Sequence, residues 1–246
     1  MAARAIMPGP PLKVGGPVDD GRGMPALRSP GGGSGAIVLS VPGSRRSRPS
    51  RRRASGLVDQ LGRGTAPLHD RVEGRLELPG ALRDRAHYRA LLAAMLRAWD
   101  SVEMTLATSM AHEALGVAPL VRSALLRDDL HRLGGRDDSP RRPGAVMGEA
   151  EGVGTIYVLE GAALGGPVLA PLIERHLDLE PGAGTSFFRG LGPRPAQRWS
   201  EVRRTVDAWG AGRTGAEVDR AVWAAQLTFA IIGGATAGAL ADDDAG

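Results

Sequence analysis

From Leu57 to the C-terminal end the apolar residues recur at three- and four-residue intervals, and no stretch alternates apolar with polar long enough to make a strand. That pattern confines the fold to packed helices. Leu57, Leu61, Leu68, Val72 and Leu76 predict a first helix, with a break near Gly62-Arg63-Gly64. Leu91, Leu92, Met95, Leu96, Trp99, Val102 and Leu106 predict a long second helix that starts after Asp84 as its cap. A third is expected over 117–133 on Val121, Leu125, Leu126, Leu130 and Leu133. Gly134 to Gly144 reads as loop, a fourth helix as 145–178, and Gly182 to Pro195 as loop again. Two more helices are expected near 196–209 and 215–240, and no repeat of fixed length is present. The expected architecture is an all-α domain over 56–240, followed by a short acidic end at 241–246.

Residues 1–55 are of another kind. They hold ten Gly, eight Pro and ten basic side chains against two acidic ones, a net charge of +8, which leaves the rest of the chain at −4 within a total of +4. Such a segment cannot bury enough apolar surface to offset its chain entropy, so a disordered N-terminal tail is expected there. Its Arg-rich block from Ser44 to Arg53 is open to reading as a nucleic-acid arm, as a transit peptide, or as a solvated extension of no specific role, with a true start near Met24 or later. A secretory signal is excluded, because the apolar run Ala36 to Val41 is too short. The stretch Leu227 to Ala241 falls short of a membrane span, so the chain reads as soluble, with no membrane partner.

The chain contains no cysteine, which removes disulfides, thiolate metal sites, iron–sulfur clusters and cysteine nucleophiles together. None of its five histidines is paired as His-x3-His or His-Glu-x-x-His, which argues against a dedicated zinc site. His87, His112, His131 and His176 lie beside charged or loop residues and read as solvated. His69 differs, because Glu73 follows four residues later on the same helical face. A carboxylate there can accept the second ring N–H of a metal-bound imidazole, or simply make a surface hydrogen bond. A second unusual segment is Tyr157-Val-Leu-Glu-Gly161-Ala-Ala-Leu-Gly165-Gly166, within the predicted fourth helix. Glycine inside a helix costs about 1 kcal/mol relative to alanine. Three of them in six residues point to close helix packing or to a flat ligand lying against bare backbone, and Pro167 adds a bend.

Together these segments resemble haem oxygenase, and more closely the bacterial type associated with bacteriophytochromes. Thr65-Ala-Pro-Leu-His69-Asp-Arg-Val-Glu73 looks like the proximal helix of that family, and Ile156 to Val168 like the distal one. Ser186-Phe-Phe-Arg-Gly190, Trp199 and Thr228-Phe229 stand where the family has similar elements, so the resemblance runs from Leu57 to about Gly234.

The resemblance implies an all-α, haem-oxygenase-like fold and a cytoplasmic enzyme that cleaves haem (heme b, both substrate and cofactor) with O₂ to biliverdin, CO and Fe²⁺. Electrons would come from a donor such as ferredoxin or a reductase, and a bacteriophytochrome would be a product acceptor. It makes His69 the axial iron ligand, oriented by Glu73, and gives Gly161 and Gly165 the catalytic place over the haem. Arg203 and Arg204 become candidate partners for the propionates, Tyr157 a hydrogen-bond donor, and Phe229 a pocket wall or plain core. Two departures stand out: Ala162-Ala163 occupies the place where relatives carry an aspartate or a small hydroxyl residue, and Pro167 replaces a polar residue and removes a helical N–H. A non-enzymatic haem-binding or haem-sensing relative is the alternative. A helical interaction module with a nucleic-acid arm is a third reading, opposed by the acidic domain and an aromatic content of 4%.

Overall fold

The computed structural model describes residues 56–75, 78–137, 144–190 and 194–241, and the side chains of 72–75 lie outside it. The expected tail, residues 1–55, and the acidic end from 242 onward likewise fall outside the described residues. Among the described residues there are nine helices and no strand: α1 (Leu57–Arg75), α2 (Arg85–Leu106), α3 (Ala111–Leu115), α4 (Ser123–Arg132), α5 (Glu149–Gly161), α6 (Gly166–Leu177), α7 (Ser186–Arg189), α8 (Pro195–Gly210) and α9 (Gly215–Ala241). The all-α expectation therefore holds. Helix α9 is the spine of the fold, packed along α1, α2 and α5, while α8 lies across α1, α3 and α5.

Helix α2 matches its sequence pattern closely. Asp84 is extended at the N-cap and accepts the backbone N–H of His87 at 2.8 Å. The apolar residues that predict the helix, from Leu91 to Leu106, are all buried.

Helix α1 departs from expectation because it runs unbroken through Gly62 and Gly64. A Cβ on Gly64 would stand 2.8 Å from Val222 Cγ1, and Gln226 Nε2 donates to the Gly64 carbonyl at 2.9 Å. Gly64 thus marks a close approach of α9, and Gly62 faces the Tyr157 hydroxyl of α5, so packing contacts outweigh their helix-breaking tendency.

The expected helix over 117–133 begins only at Ser123, and Val121 is exposed. Pro119 disfavours helical backbone at Ala118, and Glu103 of α2 accepts the backbone N–H groups of Arg122 at 2.7 Å and Ser123 at 3.1 Å, which fixes the helix start there. The expected fourth helix starts at Glu149 and is split into α5 and α6, which meet at a bend of 48° across Ala162–Gly165.

The segment after α6 is held by Glu174, a buried carboxylate that accepts Arg189 Nη2 at 2.7 Å, Gly182 N at 2.8 Å, and the Thr185 hydroxyl. Burial pushes this carboxyl up, but the bonds from Arg189, Thr185 and Gly182 outweigh it and hold the group below the ordinary glutamate range. A depressed carboxylate stabilises the fold above its unfolded pKa, about 4.3, and loses that contribution as pH falls through the lower folded value. Glu174→Gln is therefore expected to show a smaller fall in Tm than the wild type between about pH 6 and pH 3. Parallel pH curves for the two proteins would exclude this role.

Candidate functional site

His69 sits on the second half of α1, where the helix passes α9. It is half-buried, with Nε2 turned inward out of solvent, and its ring lies 6.1 Å from the ring of Phe229 at a tilt of 49°. Phe229 is fully buried on α9. The fold thus joins two residues 160 positions apart that the sequence marks only singly. Glu73 lies one turn beyond His69 on α1, and its side chain falls outside the described residues.

Helices α1 and α5 are bridged by α8 and α9, which pack on both. Between them stands Tyr157, buried, its ring tilted against Trp199 at 5.1 Å and its hydroxyl facing Gly62. Burial raises the Tyr157 hydroxyl above its ordinary value, Arg203 opposes that rise, and Asp59 and Asp207 add to it. Arg203 is therefore within electrostatic reach of Tyr157. Arg204 is exposed and is not brought to this group, so only one of the two candidate arginines lies near Tyr157.

Gly161 closes α5 and is buried, and Gly165 is the N-cap of α6, so the two flank the bend. Gly166 is explained by packing: a Cβ there would collide with the Phe188 carbonyl, with Phe188 C only 2.9 Å away. The expected loss of a helical N–H at Pro167 is corrected by its position in the first turn of α6, where that N–H has no partner within the helix. Ala162 and Ala163, in the bend itself, are half-buried and offer no side-chain oxygen.

Three charged residues near the bend escaped the sequence reading. Glu160, immediately before Gly161, is buried and accepts Arg198 Nε at 2.7 Å and Nη2 at 2.5 Å. Arg122 is buried over the rings of Trp99 and Phe187, and donates to the carbonyls of Leu159 at 3.4 Å and Phe187 at 3.2 Å. The available signal was charge within apolar runs, since a buried charge needs partners.

The reading of four histidines as solvated needs correction. His131 and His176 are exposed, although His176 Nε2 lies 2.6 Å from the Leu82 carbonyl. His112 is half-buried, and burial lowers it. His87 is buried: Nδ1 accepts Arg83 N–H at 3.3 Å and Nε2 meets the Ala239 carbonyl at 3.0 Å, tying the start of α2 to the end of α9. Among the described residues no group of three or more His, Asp or Glu could hold a metal ion, which leaves His69 as a candidate single ligand.

No family model matches this sequence, and no curated protein matches it either.

Proposed function

We propose that this chain is a haem oxygenase that cleaves haem to biliverdin, CO and Fe²⁺. The observation that carries this reading is His69, whose Nε2 is turned inward and whose ring lies 6.1 Å from that of Phe229, on a helix that α8 and α9 bridge to a bent, glycine-flanked partner helix. The donor set suits haem: one imidazole nitrogen for iron, an apolar ring beside it, and an arginine near a buried phenol for carboxylates. When bound, haem would supply the iron that activates O₂ for attack on its own porphyrin edge.

The protein's part is to hold and shield. His69 would ligate the iron, and Glu73 would orient its ring. Phe229 would exclude water beside the imidazole. Arg203 would hold a propionate near Tyr157, which would donate a hydrogen bond from its hydroxyl. Gly161 and Gly165 would leave backbone, without side chains, at the bend. Because Ala162 and Ala163 carry no side-chain oxygen, protons at the bend would have to pass through water and backbone groups. That same feature favours one second reading, a haem binder that does not turn over.

The test is addition of hemin to the purified chain, then ascorbate or a ferredoxin system in air. The expected result is a Soret band that decays to a biliverdin absorption, with His69→Ala impaired in ligation and turnover. Glu73→Gln is expected to lose about 10–100-fold in haem affinity or activity. A Soret band that persists would select the haem binder, and no Soret band would refute both readings.

A further inference from the structure

From Ala221 onward helix α9 carries no charged residue, yet among the described residues its neighbours cover only part of it. Its outer face leaves Trp223 58%, Leu227 44% and Ile231 41% exposed, in a row at four-residue spacing. An exposed apolar row of this kind marks a surface that something covers.

The same face carries a second anomaly. Gly234 and Gly238 are exposed well inside the helix, and a Cβ at either would meet nothing within 4 Å. Each costs about 1 kcal/mol relative to alanine. Gly64 and Gly154 have close neighbours that require glycine, whereas these two have none among the described residues.

We infer that this face is the interface of a twofold dimer, in which α9 packs antiparallel on α9 of a second copy. The order of side-chain sizes decides the direction, because bulky residues occupy the first half of the face and glycines the second. Setting Leu227 opposite Ile231 of the second copy brings Trp223 level with Gly234 and Ala235, and Arg220 level with Gly238. Each large side chain then lies on a bare stretch of backbone, and the pairing repeats in reverse about the twofold axis, as a closed isologous contact requires. A parallel pair would set Trp223 against Trp223 and leave the glycines facing a gap.

The area is sufficient for a modest interface. At a rise of 1.5 Å per residue the face from Arg220 to Gly238 is about 27 Å long, and a helix about 11 Å wide offers on the order of 300 Å² there. The surface continues into a cleft of about 560 Å³ between α9 and α2, lined by Ala90, Ala94, Arg97 and Ser101 on the α2 side. Covering that wall as well roughly doubles the area, to about the 600 Å² per partner at the lower end of specific interfaces. The dimer is therefore weak enough to dissociate on dilution.

Sedimentation or light scattering on the full chain tests this. The expected mass rises with concentration from 25.6 kDa toward twice that value. Trp223→Asp and Gly234→Leu are each expected to weaken dimerisation at least tenfold. Gly234→Leu has open space in the monomer, so its circular dichroism and Tm should show an intact fold. Because the chain lacks cysteine, oxidation of a Leu227→Cys/Ile231→Cys double variant should link two chains far faster than either single variant. A monomer at all concentrations would overturn the inference, as would a dimer indifferent to both substitutions or fastest linkage by Leu227→Cys alone. Binding of the monomer to lipid vesicles, lost in Trp223→Asp, would likewise overturn it in favour of a membrane as the cover.

Discussion

Gly154→Ala, the addition of one methyl group, is expected to destabilise the protein by more than about 4 kcal/mol, a large part of the 5–15 kcal/mol that holds a domain together. The new Cβ would fall far inside van der Waals contact distance of the Ala221 carbonyl oxygen, with Ala221 C at 2.8 Å and Ala225 N at 3.1 Å. All three atoms are backbone of α9, so no rotamer change relieves the clash. The helices would have to separate along their shared seam, and the packing of Val153, Ile156, Ala221 and Ala225, all buried, would loosen with them. Thr155 and Thr228, whose buried hydroxyls lie 3.1 Å apart, bridge the same two helices. The contrast is Gly234→Ala on the exposed side of α9, where open space in the monomer predicts a gain of about 0.5–1 kcal/mol at concentrations where the chain is monomeric. Urea unfolding followed by circular dichroism measures both. A Gly154→Ala protein within about 1 kcal/mol of the wild type would mean that α5 and α9 are not in van der Waals register at this position. If the proposed function holds, Phe229 moves with α9, and any folded Gly154→Ala protein should also bind hemin less well.

The helices that were legible in the sequence are those whose information is local. Helix α2 carries an apolar stripe and its own cap at Asp84, and α8 and α9 lie within a residue of their expected bounds. The misplaced or overlooked elements depend on acceptors supplied from elsewhere in the chain. Glu103 of α2 starts α4, and Asp129 of α4 caps α7 by accepting the N–H groups of Ser186 and Phe187, each at 2.8 Å. Asp207 of α8 accepts Val58 N–H at 2.8 Å and so starts α1. No pattern within one segment can announce a cap donated by another. The candidate site behaves similarly. His69 is conspicuous beside Glu73, and the glycines of the bend are conspicuous in a helical run, but the meeting of His69 with Phe229 exists only once α1 lies on α9. Arg203 and Arg204 look equivalent as neighbours, and the helical rotation of about 100° between them sends one toward Tyr157 and the other to solvent.

Arg122→Ala is expected to cost about 3–5 kcal/mol, the range for removing a buried charged partner together with the volume it fills. Arg122 is 3% exposed, and burial draws its guanidinium down to about 10, against the pull of Glu160 and Glu103, so it still carries its charge at neutral pH. That charge is spread over the faces of Trp99 and Phe187, at 4.9 and 4.4 Å. Its Nη1 reaches the Leu159 carbonyl, which belongs to the last turn of α5 and has no partner within that helix. Nη2 reaches Phe187 of α7, so one side chain ties α4 to the end of α5 and to α7. Alanine would leave both carbonyls buried without this donor and open a cavity beside two aromatic rings. Arg122→Met keeps most of the volume and the apolar contact with the rings, loses the donors and the charge, and is expected to cost about 1–3 kcal/mol. The ordering of the two variants by urea unfolding separates the hydrogen bonds from the packing. Near-ultraviolet circular dichroism of Trp99 should change more in the alanine protein than in the methionine one. Equal costs would assign the effect to the lost charge and hydrogen bonds rather than to packing, and a cost below about 1 kcal/mol in both would mean that the end of α5 is held without Arg122.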